Sequence, residues 1–116
     1  MNVGKTLYVH TRKAWRSWLS KHHATEKEIW LVYYKNGSGK PRIPYNHAVE
    51  EALCYGWIDS IVKSIHADKY AQRFTPRKPA AKWSPMNIDR LRHLIQQKRV
   101  TRAGLNAAAG VLDART

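Results

Sequence analysis

The densest set of residues that could do chemistry lies in one proline-containing segment in the second half of the chain. It reads Arg73-Phe74-Thr75-Pro76-Arg77-Lys78-Pro79 and is followed by Lys82-Trp83-Ser84-Pro85. Guanidinium, ammonium and hydroxyl groups so placed bind phosphate or another oxyanion, and prolines lower the ordering cost of binding. A helix that starts at Ser84-Pro85 adds free backbone N–H groups and a positive dipole end. Residues 73–87 are therefore predicted to bind an anion.

Two tryptophans and one aspartate flank this segment. Trp57 and Trp83 either offer surfaces on which bases stack or fill the core, and the sequence leaves both roles open. Asp59 either orients an arginine across a hairpin or makes a hydrogen bond that stabilises a turn. The predicted set of ligand-binding residues is Trp57, Asp59, Arg73, Thr75, Arg77, Lys78, Lys82, Trp83 and Asn87.

Positive charge is distributed unevenly along the chain. The 116 residues carry a formal net charge of +13, from 21 Lys and Arg against 8 Asp and Glu. Residues 60–102 contain 11 basic and two acidic residues, whereas residues 1–59 contain nine and five. Such a region attracts nucleic acid or an anionic membrane surface. A basic protein without any polyanion partner fits the same composition.

The leading hypothesis is a small binding module that holds an anionic ligand on residues 73–87. The ligand would be nucleic acid or a phosphorylated small molecule. The second hypothesis is an enzyme, with Asp59 as a base or an orienting group. In that case five side chains line one closed pocket: Trp57, Asp59, Arg73, Arg77 and Asn87.

A third hypothesis is a non-catalytic stress-protection protein that acts through protein–protein contacts, as a homo-oligomer. Exposed aromatic residues would favour this hypothesis, and their burial would weigh against it. The four residues concerned are Trp15, Trp18, Tyr33 and Tyr34.

Other motifs are excluded by their spacing. Gly37-Ser38-Gly39-Lys40 looks like part of a phosphate-binding loop, but Tyr34 stands where that motif needs glycine and Pro41 where it needs Ser or Thr. The six histidines lack the His-x3-His spacing with an acidic partner, so we predict no metal site and no cofactor. Cys54, the one cysteine, is predicted to be a buried small hydrophobe.

Adjacent acids on a predicted helix cannot form a facing carboxylate pair. Glu50 and Glu51 point about 100° apart on a helix, whereas glycosidase chemistry needs two carboxylates across a substrate. We therefore predict that Glu50 and Glu51 belong to the solvated face of their helix.

Hydrophobic periodicity predicts an α+β fold. Helices are expected over residues 12–23, 46–55, 85–98 and 102–112, with capping residues at Thr11 and Ser84 and with Thr101 at the start of the last segment. About four strands are expected over residues 6–9, 28–35, 60–65 and 70–75, with 66–69 as a hairpin connection. The expected architecture is a small, mostly antiparallel sheet with helices packed on one face.

Short motifs in order along the chain resemble the YdeI/OmpD-associated family, also described as bacteriocin-protection proteins. The resemblance covers residues 11–105. Its motifs are Trp15 and Trp18 with His23-Ala24-Thr25, Glu28-Ile29-Trp30-Leu31 through Tyr34-Lys35, Gly37-Ser38-Gly39-Lys40-Pro41, Tyr45, the run from Ala48 to Asp59, Arg73-Phe74-Thr75-Pro76-Arg77, Trp83-Ser84, Asn87 and Ala103-Gly104-Leu105. It implies a role in envelope stress and peptide resistance and a link to an outer-membrane porin, with no catalytic residues to carry over.

Members of that family usually continue into a further C-terminal helical segment. This chain ends at Thr116, so the resemblance implies either a naturally short member or a truncated one. The length favours a single domain over residues 1–116, with residues 113–116 as a frayed tail. No apolar run approaches the length of a membrane span, and no secretory signal precedes residue 11, so a cytoplasmic protein is expected.

Overall fold

Four strands form a single mixed sheet. The computed structural model describes residues 3–78 and 82–114, so Pro79 of the predicted loop and Arg115 and Thr116 of the predicted tail lie outside the described residues. The strands are β1 (Thr6–Leu7), β2 (Ile29–Tyr34), β3 (Trp57–His66) and β4 (Lys69–Pro76), and their order across the sheet is β1-β2-β4-β3. β1 pairs with β2 in parallel, and the other two pairings are antiparallel. The predicted α+β fold is confirmed.

The central strand β2 determines which residues share each face of the sheet. Its sequence, IWLVYY, is buried over the first five residues, so side chains on both faces of the strand are shielded from solvent. Ile29 is paired with Phe74 and therefore faces the same side as Phe74. Trp30, the next residue, is paired with Arg73 and faces the opposite side.

Helices cover one face of this sheet. They are α1 (Arg12–His22), α2 (Tyr45–Cys54), α3 (Pro85–Gln96), α4 (Arg102–Ala107) and α5 (Ala109–Ala114). The predicted caps at Thr11 and Ser84 are confirmed, because each accepts a hydrogen bond from the backbone N–H three residues later. Thr101 caps α4 in the same way. Among the described residues, no helix is long and apolar enough to cross a membrane.

The hydrophobic core lies between these helices and the sheet. Trp15 and Leu19 from α1 and Val49 from α2 pack in one buried cluster with Leu31 and Phe74 of the sheet. The buried residues of the other face, Trp30, Val32 and Ala71, lie outside that cluster. We call this second face the open face, since the helices pack on its reverse side.

The prediction that Glu51 lies on a solvated face of α2 is wrong. Glu51 is fully buried, and it accepts hydrogen bonds from Arg12 at 2.6 Å, Arg16 at 2.9 Å and Arg99 at 2.7 Å. Glu50 is half-buried and pairs with Arg12 at 2.7 Å. These five residues, the Glu51 cluster, join α1, α2 and the segment before α4.

The arginines determine the charge state of the buried carboxylate. Burial by itself would raise the pKa of Glu51, but hydrogen bonds from Arg16, Arg99 and Arg12 outweigh it and hold that pKa below its usual value. The cluster is therefore ionised, and its two carboxylates offset two of the three arginine charges.

The C-terminal region is helical but interrupted. The segment predicted as one helix over residues 102–112 is divided at Ala108 into α4 and α5. Gly104 is required by close packing, because a Cβ there would lie 2.5 Å from the carbonyl oxygen of Cys54 in α2. Cys54 is buried as predicted, and burial raises the pKa of its thiol.

Candidate anion-binding site

A depression of about 400 Å³ lies at one end of the open face, where β2 begins, β4 ends and β3 begins. Three cations and one hydroxyl line it together with apolar side chains. The lining residues are Lys27, Ile58, Arg73, Thr75, Pro76 and Lys78. We call this site the cationic depression. It contains three of the nine predicted binding residues, namely Arg73, Thr75 and Lys78.

Strand geometry explains why these groups converge. Arg73 and Thr75 are two residues apart on β4, so their side chains leave the same face of the sheet. Ile58 is the cross-strand partner of Thr75 on β3. Lys27 precedes β2, whose first residue Ile29 is paired with Phe74 at the end of β4. Antiparallel pairing thus brings Lys27 to residues more than 45 positions later in the chain.

Glu28 is the acid beside this site. Its carboxylate accepts a hydrogen bond from Nε of Arg73 at 2.5 Å, and both side chains are partly exposed, at 36% and 32%. The contact uses Nε, which leaves the two Nη groups of Arg73 for a ligand. With Glu28 included, the depression carries two net positive charges and opens to solvent.

Arg77 was predicted to bind the ligand, but the structure places it in a packing role. Its guanidinium lies 4.0 Å from the ring centre of Trp83 and donates to the carbonyl oxygen of Lys82. Its backbone N–H donates to Gly56 at 2.8 Å. Burial lowers the pKa of Arg77. Arg77, Lys82 and Trp83 thus hold the chain after β4 and do not line the depression.

Trp57 and Asn87 also lie away from the depression. Trp57 is 1% exposed and packs in the core, which is one of the two roles that the sequence left open. Its indole N–H donates to the carbonyl oxygen of His23 at 3.3 Å. The side-chain oxygen of Asn87 accepts from Arg90 at 2.9 Å, one turn further along α3. Neither side chain is positioned to contact a ligand on the open face.

Asp59 makes neither of the two contacts predicted for it. Its Oδ2 accepts hydrogen bonds from the hydroxyl of Tyr45 and from the amide of Gln72, both at 2.9 Å. The oxygen of that amide accepts from Tyr33 at 2.9 Å. Burial raises the pKa of Tyr33, and burial together with the bond to Asp59 raises that of Tyr45. This polar network lies on the helix-bearing face, since Asp59 is paired with Phe74.

The pocket proposed for an enzyme is therefore not formed by its five predicted residues. Asp59 and Arg73 lie on opposite faces of the sheet, because Asp59 is aligned with Phe74 and Arg73 is the residue before Phe74. Trp57 is buried in the core. No single cavity can be lined by all five side chains.

The aromatic residues of the interaction hypothesis divide into two groups. Trp15 and Tyr33 are buried, at 0% and 2% exposure. Trp18 and Tyr34 are half-buried. Tyr34 lies on the open face, aligned with Lys69 of β4.

Three lining residues, Lys27, Ile58 and Pro76, were not in the predicted set, and neither was Glu28, which lies beside the site. β3 begins at Trp57, three residues earlier than predicted, and thereby includes Ile58. A register shift between Asp59 and Val62 inserts an extra residue in this strand and interrupts the alternation that would have revealed it. Lys27 and Glu28 carried no signal, since nothing local indicates that β2 pairs with β4.

The chain matches one family model, over residues 7–107, and that family is described as a domain of unknown function, DUF8412. The chain belongs to the DUF8412 family. No curated protein and no solved structure matches it. The resemblance of its short motifs to the YdeI/OmpD-associated family stays a prediction. Since DUF8412 carries no assigned activity, function has to be argued from the geometry of the site.

Proposed function

We propose that this DUF8412 protein is a binding module for an anionic ligand, whose oxyanion group occupies the cationic depression. The observation that carries the proposal is the convergence of Lys27, Arg73 and Lys78 with the hydroxyl of Thr75 around one cavity. Such groups recognise phosphate by charge and by hydrogen bonds. Phosphorylated small molecules and nucleic acids both present this group.

The depression also has an apolar part. Ile58 and Pro76 are among its lining residues, and they offer surface against which an apolar part of the ligand can pack. The Arg73-Phe74-Thr75-Pro76-Arg77 motif also carries the resemblance to the YdeI/OmpD-associated family. Membership of that family is part of the proposal, because the same motif supplies two of the cationic depression's polar groups.

The proposal is tested by titrating pyrophosphate into the protein at low salt, with heat of binding as the readout. Lys27→Ala combined with Lys78→Ala should weaken binding by about tenfold or more, about 1.4 kcal/mol. The matched control is Lys13→Ala combined with Lys21→Ala, which removes two exposed charges from α1. Equal weakening in both double variants would show that net charge, and not the cationic depression, holds the anion.

A further inference from the structure

The cationic depression occupies one end of the open face, and a second cationic cluster occupies the other end. There Tyr34 is flanked by the ammonium groups of Lys40 and Lys69, at 4.7 and 5.6 Å from its ring centre. The ring of Tyr8 meets that of Tyr34 edge-on, with centres 4.9 Å apart. These four residues form the tyrosine end of the open face.

Strand register gives the spacing between the two ends. Arg73 is aligned with Trp30 and Lys69 with Tyr34, so the ends are four residues apart along β4. At about 3.4 Å per residue this corresponds to about 14 Å. Between them lies Lys63, which is aligned with Ala71 on the same face. Acidic residues near this face include Glu28, which pairs with Arg73, and Asp68 in the turn before Lys69.

Tyr8 is the aromatic ring that a ligand can reach. It is 40% exposed, and its hydroxyl donates to the carbonyl oxygen of Pro41 at 2.6 Å. With the hydroxyl bonded and the ring packed nearly perpendicular to that of Tyr34, Tyr8 is held in place while part of its surface remains exposed. A pre-positioned aromatic ring beside two lysines is a surface on which a nucleobase stacks next to its own phosphate.

We infer that the ligand of this protein is a single-stranded nucleic acid, which crosses the open face from the cationic depression to Tyr8. This inference rests on the proposed function, since a phosphate of the strand occupies the depression. A four-stranded sheet is too broad to enter the major groove of a duplex, which admits a helix or a two-stranded ribbon. A sheet face with cations and an exposed aromatic ring suits unpaired bases and their backbone.

The experiment measures fluorescence anisotropy of labelled single strands of about 4 and about 12 nucleotides, as DNA and as RNA, over a range of salt concentrations. The inference predicts tighter binding of single strands than of a duplex of equal length. It also predicts a salt slope that falls by about 0.7 for each of Lys40 and Lys69 replaced by alanine. Tighter binding of the duplex, or of vesicles containing anionic lipid, would overturn the inference.

Substitutions at two exposed tyrosines locate the strand. Tyr8→Ala should weaken binding of the longer strand by about tenfold and leave pyrophosphate binding unchanged, whereas Tyr8→Phe should retain most of the affinity. Tyr45 is 50% exposed on the helix-bearing face, so Tyr45→Ala is the matched control and should have no effect. Equal losses from Tyr8→Ala and Tyr45→Ala would contradict the path across the open face.

The proposed function and the single-strand inference can fail separately. If pyrophosphate binds through Lys27 and Lys78 but single strands bind no more tightly than pyrophosphate, the proposed function stands and the inference fails. If pyrophosphate binding is insensitive to Lys27→Ala and Lys78→Ala while single strands bind at Tyr8, the strand follows another path and the depression is wrongly assigned. If neither ligand binds, both fail.

Discussion

Two groups of basic residues in this protein have opposite environments. In the Glu51 cluster, three arginines surround a carboxylate that is fully buried, and their charge is used inside the protein. In the cationic depression, Lys27 and Lys78 are exposed, and Glu28 pairs with Arg73 through a partly exposed contact. Arg99 and Arg73 are similarly exposed, at 35% and 32%. What separates the two groups is the burial of the carboxylate that each faces, which net charge does not reveal.

The largest difference should appear when the central acid of the Glu51 cluster is neutralised. Glu51→Gln leaves three arginines around an uncharged side chain and should lower the free energy of unfolding by about 3–5 kcal/mol. Glu50→Gln, which affects one partly exposed pair with Arg12, should cost about 1 kcal/mol or less. Urea unfolding of the two variants measures both values. Similar small losses would mean that the buried cluster does not hold the helices together.

Lowering the pH should reduce the free energy of unfolding by less than Glu51→Gln does, because the protonated carboxyl of Glu51 keeps part of its hydrogen bonding. The pKa of Glu51 is lowered in the folded protein, whereas in the unfolded chain it is about 4.3. The stabilisation is therefore present above about pH 4.3 and is lost as pH falls through the folded value. Urea midpoints measured at intervals between about pH 6 and about pH 3 should decrease less in Glu51→Gln than in the native protein. Parallel curves would exclude Glu51 as the source of the pH dependence.

The smallest effect concerns two neighbouring residues with different roles. Arg77→Ala removes the stacking on Trp83 and should cost about 1 kcal/mol of stability, with pyrophosphate affinity nearly unchanged. Lys78→Ala should change stability by less than about 0.5 kcal/mol and weaken pyrophosphate binding. Thermal unfolding measures the stability of both variants, and calorimetric titration measures their affinity for pyrophosphate. Loss of pyrophosphate binding in Arg77→Ala without loss of stability would show that Arg77 contacts the ligand, as the sequence predicted.

Local signals in the sequence predicted most elements of the fold. The cap at Ser84 followed by Pro85 determined the start of α3, and the run IWLVYY determined the buried strand β2. The packing role of Gly104 could not be predicted, because the approach of Cys54 in α2 depends on tertiary packing. Local propensity therefore predicted where the helices and strands lie in the sequence, but it did not predict how closely they pack.

The site was predictable only along one strand. Arg73 and Thr75 share a face because side chains alternate along a strand, and that inference was available from the sequence. Glu51 was wrongly predicted to be solvated because its three arginine partners come from α1 and from the segment before α4. The hydrophobic periodicity of α2 gives no information about residues outside that helix. Lys27 was missed for the same reason, since strand pairing brings it to the site.

The most direct test of the central claim is to map amide chemical shifts of the native protein during titration with pyrophosphate. The account predicts the largest shifts at Lys27, Arg73, Thr75 and Lys78, with little change at the arginines of the Glu51 cluster. Shifts distributed over the basic residues of both regions, or concentrated around Glu51, would contradict the division between charge used for folding and charge used for binding.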